Sequence, residues 1–506
     1  MPRPLVLAAV AFLVSTAGAA PPLPEVETIT APADWREWPL DPSDRPDRAD
    51  PRNRIDPATV PANPAFPGAE GHGALATGGR GGRVIKVTTL AAKGPGSLDE
   101  ALNAKGPRIV VFDVSGVIRG NFVINEPDLT VAGQTAPGAG ITIEGTLYTR
   151  FAKTANVGNV ILRFLRVRVP PIPAMSSETL DGVRILGANR AIVDHVSASW
   201  AADEVTGSPE SVNVTYQWCS VEESAIQGHR EGLHNYGMKG AGYPWGFIHH
   251  NLMAHHSNRT PSATAHVINN VAYDIRRGFV MDQPPPPPDL FYASNLIGNY
   301  YKAGPSEPNM MPILLKKNTA YFAADNFIHG VGIIGDLWRD AHLYPGLRLN
   351  VGIGKRLTQP RPYPYFPITI HSSQRAYELV LAHAGCLPRD RVSRRTIEEV
   401  KTGTGKWGRN APDTLTDEWF LEGLQPGSPP PDADADGMPD AWETSHSLNP
   451  QDATDASKVV PRGASTNDRH AGYTFLEYHI NDLADRLVWK AMQDAKVKPE
   501  LPGQMP

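Results

Sequence analysis

Apolar and polar residues alternate in short runs along most of the first two thirds of the chain. AIVDHVSASW from Ala191, VNVTYQWCSV from Val212, GFIHHNLMAH from Gly246, AHVINNVAYD from Ala265 and ASNLIGNYYK from Ala293 either alternate or are rich in Val and Ile. This pattern predicts strands of about four to six residues. IVVFDVSGVI, LTVAGQT, ITIEG and VILRFLRVRV, further upstream, read the same way. The runs recur roughly every 20 to 30 residues, so each coil of chain buries its apolar face against the coils beside it, as in a parallel β-helix. Asn251, Asn270, Asn299 and Asn326 hold similar places after their strands. Stacked amides there are expected to bond the turn backbone of successive coils.

Beyond about residue 330 the period changes. SSQRAYELVLAHAGC at 372–386 has helical apolar spacing, and RTIEEVKTG at 395–403 continues it. The reading is therefore an all-β solenoid domain over 65–371, followed by a small helical extension over 372–425 that packs across it. A length of 506 residues suits a solenoid, which grows by adding coils, and 49 prolines with 46 glycines imply many turns and long connections. The net charge of −5 comes with no basic stripe, which argues against nucleic acid as a partner.

The chain opens MPRPLVLAAVAFLVSTAGAAPPLP. One early arginine, an apolar run of about a dozen residues and the small Ala17-Gly18-Ala19 predict a secretory signal peptide over 1–20, cleaved near Ala19 or Ala20. The run is too short for a membrane span. Residues 21–64, rich in Pro, Asp and Arg, read as a linker or extended arm. Cys219 and Cys386 are expected to be two buried thiols rather than a bridge.

The chemistry concentrates between Asp181 and Asn270. An isolated acid (Asp181), an acid pair (Asp203, Glu204), the run FIHHNLMAHHSNR and Arg259 at its end lie between recurring strands. Stacked coils would bring them onto one surface. The structural alternatives are a turn cap for Asp181, a solvated turn for Asp203 and Glu204, and a surface ion pair for Arg259. His195, His249 and His250 lie in or beside strands and read as ladder or core residues. No HExxH or paired cysteines support zinc.

The body opens AFPGAEGHGALATGGRGGRVIKVTTLAAKGPGSLDEALNAKGPRIVVFDVSGVI, followed by AGQTAPGAGITI, LDGVRI, VDHVSASW, HHN and HVINN. This ordered series, over about 66–330, resembles the bacterial pectate lyases of polysaccharide lyase family one. The resemblance implies a right-handed parallel β-helix and calcium-assisted β-elimination of pectate, an acidic galacturonan of plant cell walls, by a secreted enzyme. It also implies that Asp181 and Glu204 hold calcium, with Asp203 standing in for an acid whose place is taken by Trp200, and that Arg259 is the catalytic base. A second acid expected before Asp181 is replaced by Thr179, beside Glu178, and a second arginine by Thr264. The family's substrate-binding lysine falls on Ser224, and Lys239 or His234, with His229, is expected to bind substrate instead.

These residue types suit that reaction independently of the family. Elimination removes the proton on C5 of a uronate and expels the 4-linked oxygen. A hard cation on carboxylate ligands offsets the neighbouring negative charge, and a base must lie within reach of the proton. A hydrolase on the same scaffold, using Asp181 with Asp203 or Glu204, is the alternative. A non-catalytic polysaccharide-binding protein is a third reading. A monomer is expected.

After a PGSPPP linker, DADADGMPDAWE places Asp432, Asp434, Asp436 and Asp440 at positions 1, 3, 5 and 9 of a loop, Gly437 at 6 and Glu443 at 12. That is the ligand order of an EF-hand. Prolines forbid an entering helix. The expectation over 426–506 is an isolated calcium loop resembling those of dockerins and thrombospondin type 3 repeats, with HAGYTFLEYHINDLADRL as a following helix.

Overall fold

The computed structural model describes residues 28–29 and 55–499, except for 152–156, 172–180, 241–245, 264, 281–291, 316–318, 349–354, 362, 364, 410 and 464–467. The expected leader, Glu178, Thr179 and Thr264 lie outside the described residues, as does most of the arm over 21–64.

The solenoid reading holds. A 12-stranded sheet runs from Arg83–Val87 to Lys355–Leu357, with Thr28–Ile29 of the arm paired in parallel to its last strand. A second sheet branches at Ile141–Thr149. One branch follows the coils through Leu165–Arg168, Ser197–Ser199, Ser220–Glu222, Leu252–His256 and Val271–Ile275. The other carries Val183–Arg184, Glu204–Gly207 and Tyr236–Lys239 on a third face. Among the described residues all the ladders are parallel save one at the end, Asn326–Ile328 with Gly332–Ile334. The inward column of the first sheet is Val131, Leu162, Val193, Tyr216, Ile248, Val267 and Leu296, each in register with the next. All belong to one core. Removing such side chains from water supplies about 25 cal/mol per Å² of apolar surface.

The ten-residue segments recognised in the sequence are each two strands, not one. AIVDHVSASW becomes Asn189–Asp194 and Ser197–Ser199, and VNVTYQWCSV becomes Val212–Gln217 and Ser220–Glu222. The corner is one residue in the left-handed region: Phe164, His195, Trp218, His250, Asn269, Gly298 and Asp325 hold it in successive coils, with φ of 48° to 63°. That conformation costs an L-residue roughly 1–2 kcal/mol, and glycine at 298 avoids it. Stacking offsets the cost elsewhere, with ring centroids 4.6 Å apart for Phe164 and His195 and 4.3 Å for Trp218 and His250. His195, His249 and His250 are thus the ladder and core residues anticipated.

Directly after this corner runs the expected asparagine ladder. The Cys219 N–H donates to Asn251 Oδ1, Asn251 to Asn270, Asn270 to Asn299 and Asn299 to Asn326, over steps of 32, 19, 29 and 27 residues. The side-chain amides bond one another as well, at 3.0–3.1 Å. Both cysteines are free and buried.

The helical extension crosses the second sheet, but the two sequence segments do not form one continuous element. Ser373–His383, capped by Ser372, and Arg391–Thr402, capped by Asp390 and closed by left-handed Gly403, are separate helices. Val380, Leu381, Ala384, Ile397 and Val400 pack on Leu252, Ala254, Val271 and Tyr273. Asp390 also receives the buried Arg168 guanidinium at 2.8 and 3.0 Å, and Glu222 receives its third nitrogen at 2.6 Å.

The C-terminal segment packs on the solenoid. Met438, Trp442, Leu476 and Ile480 pack against Ile109, Val111 and Ala132, on the outer side of the first coils. Helix Phe475–Asp494, opened by a Thr474/Glu477 capping box, continues over the first sheet, where Asn481 Oδ1 accepts from Arg163 at 2.8 Å and Glu477 pairs with Arg80 at 2.7 Å. No helix of the described residues is long and apolar enough to cross a membrane.

Candidate active-site groove and a C-terminal carboxylate cluster

On the third face Glu204 stands opposite Tyr236, while Gly207 stands opposite both Arg184 and Lys239. Parallel bridges carry the face on from Tyr236 to Asn258 and from Lys239 to Ser262. Residues scattered over 181–262 thereby share one wall, because each successive coil adds a strand beside the last.

Asp181, Asp203 and Glu204 each offer a carboxylate oxygen within 4.8 Å of the others'. Asp181 and Glu204 are each 1% exposed, and Asp203 is half-buried. The Glu204 N–H donates to Asp181 Oδ1 at 3.3 Å. Two guanidiniums face the acids: Arg184 Nε lies 2.9 Å from Asp181 Oδ2, and Arg259 pairs with Glu204. Burial pushes the Asp181 carboxyl up to about 7; Arg184 pulls against this and Asp203 adds to it. Three clustered carboxylates are the oxygen-donor chemistry a hard cation fits, and Arg184 and Arg259 offset their charge in its absence.

Arg259 lies over Tyr236, its guanidinium carbon 4.6 Å from the ring centroid. Its own backbone is left-handed, φ 54°, and the Asn258 carboxamide accepts its N–H at 2.9 Å. The same left-handed conformation recurs at the corners of the coils, and here it turns the chain at the edge of the third face.

His234 Nε2 is 3.8 Å from Asp203 Oδ1, and its ring stacks on His229 at 3.6 Å. Burial, then the neighbouring His229, holds His234 below its ordinary pKa. His229 sits deeper, 6% exposed, and its Nδ1 accepts the Glu231 N–H at 3.2 Å. Lys239 ends its strand on the same wall, half-buried. His255 and His256 are fully buried and serve the scaffold: His255 bridges Asp274 and Glu399 at 2.9 and 3.0 Å, and His256 Nε2 bonds Val221 O at 3.0 Å.

A second acidic group lies in the C-terminal segment. Asp432, Asp434 and Asp436 form one set with oxygens within 4.8 Å of each other, and Asp436, Glu443 and Asp455 form another. Asp440 belongs to neither: its Oδ1 accepts the Ala433 N–H at 2.8 Å at the start of helix Asp440–Ser445.

Three participants escaped the sequence reading. Arg184 lies in the recognised LDGVRI, and alternation with the buried Val183 would have turned it to the outer face. Tyr236 lies within HNYGMKG. Asp455 lies beyond the loop pattern, and no local signal marks it.

No family model matches the chain. "Probable pectate lyase C" of Aspergillus fumigatus (strain CBS 144.89 / FGSC A1163 / CEA10) is 32% identical over 446 residues, covering 84% of this chain and 94% of the relative. The protein of the same name from Aspergillus terreus (strain NIH 2624 / FGSC A1156) is 31% identical over 441 residues, covering 84% and 95%. A solved structure, the thermostable pectate lyase PL 47, covers 63% of this chain and 96% of its own at 13% identity with a TM-score of 0.45, too loose a likeness to bear on the site. The relatives are matched over nearly their whole length, through coils and helical extension alike, and the protein belongs to the pectate lyase family.

Proposed function

We propose that this enzyme is secreted and cleaves pectate, a 4-linked galacturonan, by β-elimination in the groove of Asp181, Asp203, Glu204 and Arg259. The observation that carries the reading is a guanidinium set against three clustered carboxylates on one outer wall of the β-helix. Calcium held by Asp181, Asp203 and Glu204 would neutralise the uronate carboxylate and so acidify the proton on C5. Arg259 takes that proton, the electron pair becomes the C4–C5 double bond, the C4–O4 bond breaks, and the departing oxygen gains a proton. Free arginine ionises above about 12, so base catalysis requires a setting that favours neutral Arg259. Arg259 is paired with Glu204 here, and that pair must open before the proton moves. Lys239 and His234 line the same wall and bind sugar hydroxyl or carboxylate groups, with His229 supporting the His234 ring. The secreted form begins after the leader, near Ala20 or Pro21.

Digestion of polygalacturonate in water enriched in heavy oxygen tests this. Elimination leaves an unsaturated end and incorporates no solvent oxygen, whereas hydrolysis places one solvent oxygen in each cleaved bond. Incorporation of the label would refute the lyase reading in favour of a hydrolase, and the absence of any cleavage would leave a binding protein.

A further inference from the structure

The C-terminal acids show a division of labour within each side chain. One oxygen of each aspartate is used by the loop backbone: Asp432 Oδ2 accepts from Gly437 N at 2.9 Å, Asp434 Oδ1 from Asp436 N at 3.3 Å, Asp436 Oδ1 from Met438 N at 2.8 Å, and Asp455 Oδ2 from Asn449 N at 3.1 Å. The other oxygen of each, and both oxygens of Glu443, are buried with no hydrogen-bond partner. Glu443 is 0%, Asp455 1% and Asp436 4% exposed. Leaving such acceptors unsatisfied costs about 1–3 kcal/mol each, and more for charged groups. Six oxygens in two sets that share Asp436, two of them from one glutamate, match the number and type of ligand that calcium takes, while magnesium keeps its waters and prefers fewer carboxylates.

The cluster also joins pieces that would otherwise be separate. Asp432, Asp434 and Asp436 come from the loop, Glu443 from helix Asp440–Ser445, and Asp455 from the turn Asp455–Ser457. Lys86, on the first strand of the solenoid, reaches Asp432 Oδ2 at 2.6 Å and Asp113 at 3.5 Å. Gly437, φ 95°, lies so close to that strand and the next that an added Cβ would sit 3.1 Å from Val84 Cγ1 and 3.6 Å from Val111 Cγ2. Met438 is fully buried against the same coils.

We propose that Asp432, Asp434, Asp436, Glu443 and Asp455 form a calcium clasp that fastens the C-terminal segment over the first coils of the β-helix, with Asp455 supplying the ligand that Asp440 would supply in an EF-hand. It rests on the loop and not on the groove reading, and its test does not depend on catalysis.

Amide hydrogen exchange of Arg83–Val87 and Arg108–Phe112 is to be followed in the full chain against calcium, with magnesium as control. Calcium should slow exchange in both strands and magnesium should not. Asp455→Asn should raise the calcium concentration for half-maximal protection at least roughly tenfold, as expected for loss of one charged ligand, and Asp440→Asn should leave it within about twofold. Absence of calcium-dependent protection in the wild type would overturn the clasp. An unshifted midpoint in Asp455→Asn with a shifted one in Asp440→Asn would return the site to the EF-hand order. Should Asp455→Asn fail to fold even in excess calcium, calorimetric titration of the wild type decides: a calcium site beyond that retained by Glu443→Gln supports the clasp, and identical stoichiometry refutes it.

Discussion

Arg259 is the residue on which the chemistry turns. Its pairing with Glu204 fixes where its guanidinium lies, and a lysine there keeps charge while losing the planar fork and its reach. Arg259→Lys should leave the fold intact and lower turnover on polygalacturonate at least roughly 100-fold, the low end for loss of a general base. Near-normal turnover would remove it from the mechanism. Asp181→Asn and Glu204→Gln should raise the calcium concentration for half-maximal activity, measured by chelator-buffered titration, and an unchanged midpoint in both would place the cation elsewhere. At this scale the sequence was informative where a residue sits on a strand motif. Glu204 opens a strand, Asp181, Asp203 and Arg259 sit within three residues of one, and they meet. Arg184 was not foreseen because its partner is set by the outward register of a two-residue strand. Asp455 was not foreseen because it reaches the loop only through tertiary packing.

Strands and helices were legible to different depths. The asparagine ladder follows from its positions alone, and each amide satisfies an N–H beside the corner of the preceding coil. Asn270→Ala should cost about 1–3 kcal/mol by denaturant unfolding, because the Asn251 N–H and the Ile248 carbonyl both lose their partner in the interior. A cost within a few tenths would show that the ladder is incidental. The corners themselves were invisible: no composition rule says that a histidine or tryptophan will turn the chain, since stacking in the neighbouring coil is what offsets its left-handed backbone. Docking of helix Arg391–Thr402 involves His255, which faces Asp274 and Glu399, with Glu223 nearby and Arg409 holding Glu399. Burial opposes the imidazolium, but bonds to Asp274 and Glu399 outweigh it and hold the group above its ordinary value of 6.5. A raised folded-state pKa contributes stability that is full below the unfolded value and is lost as pH rises through the folded one. The stability difference between wild type and His255→Gln should therefore be large near pH 6 and shrink under alkaline conditions; a gap independent of pH would contradict the charged bridge.

As a whole, the molecule separates its two acidic centres. The groove lies on the third face, in the coils carrying residues 181–262, while the carboxylate cluster covers the outer side of the first coils near Val84 and Val111. The solenoid explains why the chain's period was readable: each coil contacts chiefly its neighbours, so local pattern and global fold agree. The docking of the C-terminal segment was not readable, since Met438 and Trp442 look like any loop and helix residues until they are seen to cover the face of Ile109 and Val111. The central claim is elimination at the groove, and the most direct measurement is the ultraviolet absorbance of unsaturated uronide formed from polygalacturonate, followed with calcium and with excess chelator. The account predicts a steady rise that chelator abolishes, that calcium restores and that Arg259→Lys nearly eliminates. Reducing ends that appear without unsaturated product, or a rise indifferent to chelator, would contradict it.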